Sequence, residues 1–457
     1  MSATRRMASL AVLIAMYVLG MNALPLAAQT PAAAGGDQCS GPGQHYTMAE
    51  YNSYTAAANE KNPAAQLKAL DDFVSKYPNS CLMNYVYPLY YQNYAAQKNF
   101  PKVMEYADKE LALGNRISPT EKYQAYSARA YAYNNTTNPD AATAKAAYQA
   151  ALDGAKSVDD LPLPQGYPPD KFADDKKKAV LSFNGTAAGA AFTAKDYPNA
   201  IAMYKTILAA NPDDFISNFN LGRSYLALNP PQQLDALWAF ARAATSKGAT
   251  DQQAKQVKAY MPKVIQAYQG GTVCDALTQA ELNELLQLAA TTPDRPATYK
   301  LASSADLDAA RKDMTIASVV TDLKAGGDKG KLTWTAACGL EFPDVPGKII
   351  DINVGPDTVV LKNAFVTSDA EFEAANTPNM DVTVAAPPAT ADPADKERFE
   401  ETKKLEKGNA VRFTGTLESY DPDPAFMLHW DKAKINDEDL PKPGKKPTPK
   451  KHSAKPQ

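Results

Sequence analysis

The sequence predicts a multidomain chain, α then β: an α-solenoid of paired helices followed by a small antiparallel β-barrel. Two observations carry this. Between residues 181 and 248 an apolar pattern with helical spacing recurs after 34 residues, and beyond Gly326-Gly327 the apolar spacing drops to two. The chain of 457 residues is 45% hydrophobic and 22% charged, which is material for two or three buried cores and excludes a disordered chain. A formal net charge of −3 excludes a basic surface along the whole chain, so no nucleic-acid partner is expected. His45, His429 and His452 are too scattered for a His-rich metal site, and neither a metal nor a cofactor is expected.

The elements follow in chain order. Arg5 and Arg6 precede an almost uncharged apolar run from Met7 to Leu26, and Ala27-Ala28-Gln29 supplies small residues for cleavage. Residues 1–28 therefore read as a cleaved signal peptide, and 29–44 as a low-complexity linker. The expected location is periplasmic or secreted. Cys39, Cys81, Cys274 and Cys338 all follow the leader, an even number in an oxidising compartment, so disulfides are expected. Four cysteines allow three pairings. Proximity in sequence alone favours Cys39 with Cys81 and Cys274 with Cys338, the alternative being four buried thiols.

The helical domain is expected over 45–270. Asp196-Tyr197-Pro198 opens an amphipathic helix that runs to Ala210 and stops at Asn211-Pro212. Asn218-Phe219-Asn220-Leu221-Gly222-Arg223-Ser224-Tyr225 follows, with Ala236, Phe240 and Ala243 beyond it. These two units, 181–214 and 215 to about 248, resemble tetratricopeptide repeats (TPR), with Leu221-Gly222 and Tyr225 in the first helix and Ala200, Tyr204 and Ala236 in second helices. Similar units lie at 84–117, where Tyr91 stands in the place of the glycine, and around 123–155, while 69–80 resembles a closing helix. The resemblance covers about half of the chain. It implies a curved solenoid whose first helices line a concave groove for a peptide or partner helix, and no catalysis.

Of the 24 tyrosines, 14 lie between Tyr46 and Tyr133. Tyr87, Tyr90, Tyr94, Tyr106 and Tyr131 are expected to pack between helices. In the repeat register Tyr85 and Gln92 face the groove instead, and Asn220 with Arg223 places an amide and a guanidinium one turn apart, able to hold a carboxylate or peptide backbone.

Residues 271–327 are expected as connecting or capping helices, with Thr278-Gln279-Ala280-Glu281 as a capping box and a second helix from about Ser304 to Leu323. The β-domain is expected over 328–436, with strands at 331–335, 348–354, 358–361, 380–384, 410–417 and 426–430 and a charged helix within 395–407. Val411 to Leu417 with Gly415, a turn, and Phe426 to Trp430 resemble strands of an OB-fold, which implies that exposed aromatics could stack on sugars or bases. Trp334, Phe413 and Trp430 are the aromatics in question, with core positions expected for each; His429 reads as a surface strand residue. Residues 437–457 are expected as a disordered Lys/Pro-rich tail able to touch an anionic envelope surface.

No Gly-x-Ser-x-Gly, His-Glu-x-x-His or phosphate-loop motif is present, so an enzyme is not expected. The expectation is a non-catalytic exported scaffold or adaptor that binds a protein or peptide segment in its helical groove. The alternative is a cell-envelope or carbohydrate-binding protein that uses its β-domain.

Overall fold

The computed structural model describes Cys39, residues 45–271 and residues 273–441. The segment expected as a signal peptide, the expected linker apart from Cys39, and the expected tail beyond Pro441 lie outside the described residues. Two compact units divide between Thr250 and Asp251.

The first unit is an array of five helical hairpins: α1 (Met48–Asn59) with α2 (Pro63–Lys76), α3 (Met83–Ala96) with α4 (Phe100–Leu111), α5 (Pro119–Asn135) with α6 (Ala141–Ser157), α7 (Pro169–Thr193) with α8 (Tyr197–Ala210), and α9 (Phe215–Leu226) with α10 (Gln233–Thr245). The repeat shows in its turns as well as its helices. After α3, Lys98 takes φ +58 and the Asn99 amide donates to the Tyr94 carbonyl; after α7, Lys195 takes φ +61 and the Asp196 amide donates to Ala191. Each is a left-handed residue closing a helix by a bond five residues back. Asn99 and Asp196 then cap the next helix through their side chains, with Pro101 and Pro198 in its first turn.

Packing between helices works by exchange of size. A Cβ on Gly222 would lie 2.7 Å from the ring of Phe240, and one on Gly154 would lie 2.5 Å from the ring of Phe183. These close approaches require glycine. In the hairpin where Tyr91 replaces the small residue, it packs with Val103, Ala107 and Ala132, so the bulk sits on the first helix and the small residues face it. Glu110 on α4 is 0% exposed, and burial pushes its carboxyl up to about 8, with the Tyr91 hydroxyl pulling it down and the Glu121 charge pushing it up.

The second unit opens with α11 (Asp251–Tyr268), α12 (Asp275–Thr291), α13 (Ser304–Arg311), α14 (Ile316–Ala325) and α15 (Gly327–Ala337). Three expectations change here. Helix α12 starts at Asp275, a turn before the predicted cap: the Thr278 hydroxyl donates back to the Cys274 carbonyl at 3.2 Å, and the two carboxylate oxygens of Glu281 accept from Gln269 Nε2, each at 3.0 Å. The helix expected from Ser304 to Leu323 is broken in two, since Thr315 and Ser318 form a fresh capping box. Residues 331–335 are helix, not strand: Gly330, Thr333, Ala336 and Ala337 are buried together, a helical spacing that five alternating residues alone conceal. Asp322 fixes this helix by accepting from Thr333 at 3.0 Å and pairing with Lys329 at 2.8 Å.

Five strands close an OB-like barrel in the order β1-β2-β3-β5-β4: β1 (Glu341–Val354), β2 (Thr358–Phe365), β3 (Met380–Ala385), β4 (Ala410–Asp421) and β5 (Met427–Ile435). The short helix α16 (Asp369–Ala374) joins β2 to β3, and α17 (Pro393–Thr402) joins β3 to β4. The small antiparallel barrel expected from the sequence is present, and because an odd number of strands cannot close with antiparallel pairs alone, one of its five pairings is parallel. The parallel pair falls between β3 and β5. Val345, Ile349, Leu361, Val382, Phe413, Leu428 and Trp430 fill the interior, and Phe399 of α17 packs against them. Both proximity pairings are present as disulfides, Cys39–Cys81 and Cys274–Cys338, with Cα–Cα distances of 5.3 and 5.5 Å and no free thiol.

Candidate functional site

The first helices of hairpins one to four, α1, α3, α5 and α7, touch in succession. Polar side chains bridge them: Asn84 donates to Glu121 and Asn134 to Thr186, each at 2.8 Å. In the repeat register these first helices present the face expected to line a groove.

At one end lie phenols. Tyr85 is 37% exposed on α3, with its ring centroid 6.1 Å from that of Tyr54 on α1. Tyr46 and Tyr51 stack at 5.8 Å beside them. The Tyr46 and Tyr54 hydroxyls are held above the ordinary phenol value by burial first, then by neighbouring phenols including Tyr85 and Tyr51. Gln92 lies exposed two turns along α3 from Tyr85. The tyrosines expected to pack do so: Tyr90, Tyr94 and Tyr106 stack with centroids 4.0 to 6.4 Å apart, and Tyr90 donates to Asp71 at 2.7 Å. Tyr87 joins them at 6.2 Å, and Tyr131 meets Phe100 edge-on.

At the other end the guanidinium of Arg223 lies over the ring of Phe192, 4.6 Å from its centroid, and near Phe219 at 5.9 Å. Its Nη1 donates to Asn220 Oδ1 at 3.4 Å. Asn220 is only 4% exposed, so it stands behind the arginine and holds it, and Arg223 alone of the two reaches solvent. Among the described residues Arg223 makes no ion pair. Ile216, one turn before Phe219, is 40% exposed, and on α7 a Cβ at Gly185 or Gly189 would meet nothing within 4 Å.

The sequence reading missed Phe192, Phe219 and Ile216. A signal was there: Ile216, Phe219 and Arg223 repeat at helical spacing along the face of α9 opposite Leu221 and Tyr225. Phe192 is recognisable only once α7 is set beside α9.

In the barrel, Phe413 and Trp430 are core at 0% and 1% exposure, meeting edge to face at 5.4 Å. Trp334 is half-buried on the outside against Tyr420, at 4.9 Å, and Lys324 sits 5.1 Å over the neighbouring Phe426. His429 lies on the barrel surface between Asp421, at 2.9 Å, and Asp381, at 3.6 Å. Among the described residues no group of three or more His, Cys, Asp or Glu is placed to hold a metal ion.

No family model matches the sequence, and no characterised protein matches it.

Proposed function

We propose that the chain is a non-catalytic exported scaffold whose TPR-like array binds an extended protein segment along its first helices. The observation that carries this is Arg223, without an ion pair among the described residues, laid on Phe192 and Phe219 and braced by the buried Asn220; in the repeat register it shares a face with Tyr85 and Gln92. A braced guanidinium recognises a carboxylate with little ordering cost, and rings and glycines around it admit apolar side chains. The two disulfides support an oxidising compartment, and Gly222 beneath Phe240 supports the TPR resemblance.

The runner-up places recognition of an envelope or carbohydrate ligand on Trp334, Tyr420 and Phe426 of the second unit, a half-exposed aromatic group there. The test compares full-length variants in recovery of the natural partner from its own envelope. Arg223→Ala should weaken binding by about 1.5–3 kcal/mol, the worth of a hydrogen bond to a charged group, with stability changed by about 0.5 kcal/mol or less. Trp334→Ala should leave binding intact; if Trp334→Ala abolishes it and Arg223→Ala does not, the runner-up replaces the scaffold.

A further inference from the structure

We propose that the open end of the seam between β3 and β5 accepts an extended acidic segment as an added strand. The two strands pair only over Met380–Val382 and Leu428–Trp430, yet β3 continues to Ala385 and β5 to Ile435. They part for a local reason. The register of β5 against β4 shifts between Thr414 and Thr416, and Lys432 opposite that shift takes φ +52, in the left-handed region. Such a bulge bends a strand away from its neighbour. It leaves a cleft of about 400 Å³ bounded by the end of β3, the end of β5 and α17.

The chemistry of the cleft selects its occupant. Residues 383–385 and 431–435 have no partner strand on the edges that face the gap, so main-chain donors and acceptors are available to an incoming strand. The floor is apolar, with Val384, Ala433, Ile435 and Phe399 all less than a tenth exposed. At the rim, Arg398 is engaged by Asp395 at 2.8 Å and by Asp437 at 2.7 Å. Lys432 and Lys434 are exposed and, among the described residues, make no ion pair. Ala433 and Ile435 beside them are buried, so beyond the bulge the two lysines share the outer face. A segment with acidic residues at alternate positions and small apolar ones between them matches both rim and floor. The chain's own Lys-rich segment after Pro441 carries the wrong sign.

Edge lysines also serve in other proteins to repel added strands, and the two roles predict opposite outcomes. The probe is a blocked synthetic peptide of alternating glutamate and valine, about seven residues long, a usual strand length. Its counterpart has lysine in place of glutamate. Both are titrated into the full-length protein, followed by amide hydrogen exchange. The glutamate peptide should slow exchange within 383–386 and 431–435, and Lys432→Ala with Lys434→Ala should weaken it about tenfold, the effect of removing charge complementarity worth about 1.4 kcal/mol. The proposal fails if the protection falls elsewhere or is absent at millimolar peptide, if the lysine peptide binds equally, or if the alanine variant binds either peptide more tightly.

Discussion

The hairpin array and the barrel unit place their aromatic side chains in opposite ways. In the array, rings are shared between neighbouring helices, and some of these shared rings, as with Tyr85, Phe192 and Phe219, stay partly open to solvent on the first-helix face. In the barrel, Phe413 and Trp430 are closed inside, and what stays available is main chain at the β3–β5 seam and the half-exposed Trp334, Tyr420 and Phe426. The difference teaches what each proposed recognition would rest on: in the array, side chains on a preformed face; in the barrel, a strand edge. The units also share a plan, since each holds one disulfide and a buried carboxyl raised by burial, Glu110 or Glu281.

The largest expected effect tests that shared plan. Replacing Cys274 and Cys338 by serine opens a loop of 64 residues and should cost the second unit about 4 kcal/mol on the loop-entropy estimate; Cys39 with Cys81, 42 residues apart, should cost the first unit nearly as much. Calorimetry resolving two transitions checks that each loss falls on its own unit. A loss shared equally by both transitions would break the division.

Next is the size exchange. Gly222→Leu drives side-chain atoms into the ring of Phe240 and should destabilise the first unit by about 2–3 kcal/mol. Adding Phe240→Ala should return part of that loss, a coupling that a double-mutant cycle measures directly.

The buried carboxyls sharpen the comparison through pH. Glu110, pushed up to about 8, holds its proton in the folded state at pH values where the unfolded chain has lost it. Its protonated form stabilises the first unit fully below about pH 4.5, and that stabilisation is lost as pH rises through about 8. Glu281, pushed up to about 7 by burial against the opposing pull of Gln269 and Lys331, does the same for the second unit over a lower window. Glu110→Gln should therefore raise the melting temperature of the first transition at pH 9 by roughly 2–4 °C, with the difference disappearing near pH 4. A gain that persists unchanged at pH 4 would contradict this origin.

The smallest effect lies in the turns. Lys98→Gly and Lys195→Gly relieve left-handed backbone at φ +58 and +61, and each should stabilise by about 0.5 kcal/mol once glycine's greater chain entropy is offset. Urea midpoints at constant slope would register it.

Much of this was legible in the sequence because local rules agreed with the tertiary result. Gly222 announced a close approach, the alternation of Val411 to Leu417 announced a strand, and cysteines near in sequence proved near in space. Where local and tertiary signals diverged, the reading failed. Lys331 to Thr335 alternates like a strand, but its burial follows Gly330 and Ala337, which lie outside that window. Asn220 looked like a groove residue because it lies one turn from Arg223, and only three-dimensional packing shows the amide buried behind the guanidinium. The seam was invisible for a different reason: it follows from closing five strands, a property of no single segment.

The central claim is that recognition belongs to the first-helix face of the array. Site-specific photocrosslinking in the full-length protein, in its native envelope, tests it most directly, with the reactive residue placed at Gln92, at Ile216, at Lys145 on a second helix, and at Tyr420 on the barrel. The account predicts one protein adduct common to Gln92 and Ile216, lost when Arg223→Ala is added, and absent from Lys145 and Tyr420. An adduct formed from Tyr420 alone, or one indifferent to Arg223→Ala, would contradict it.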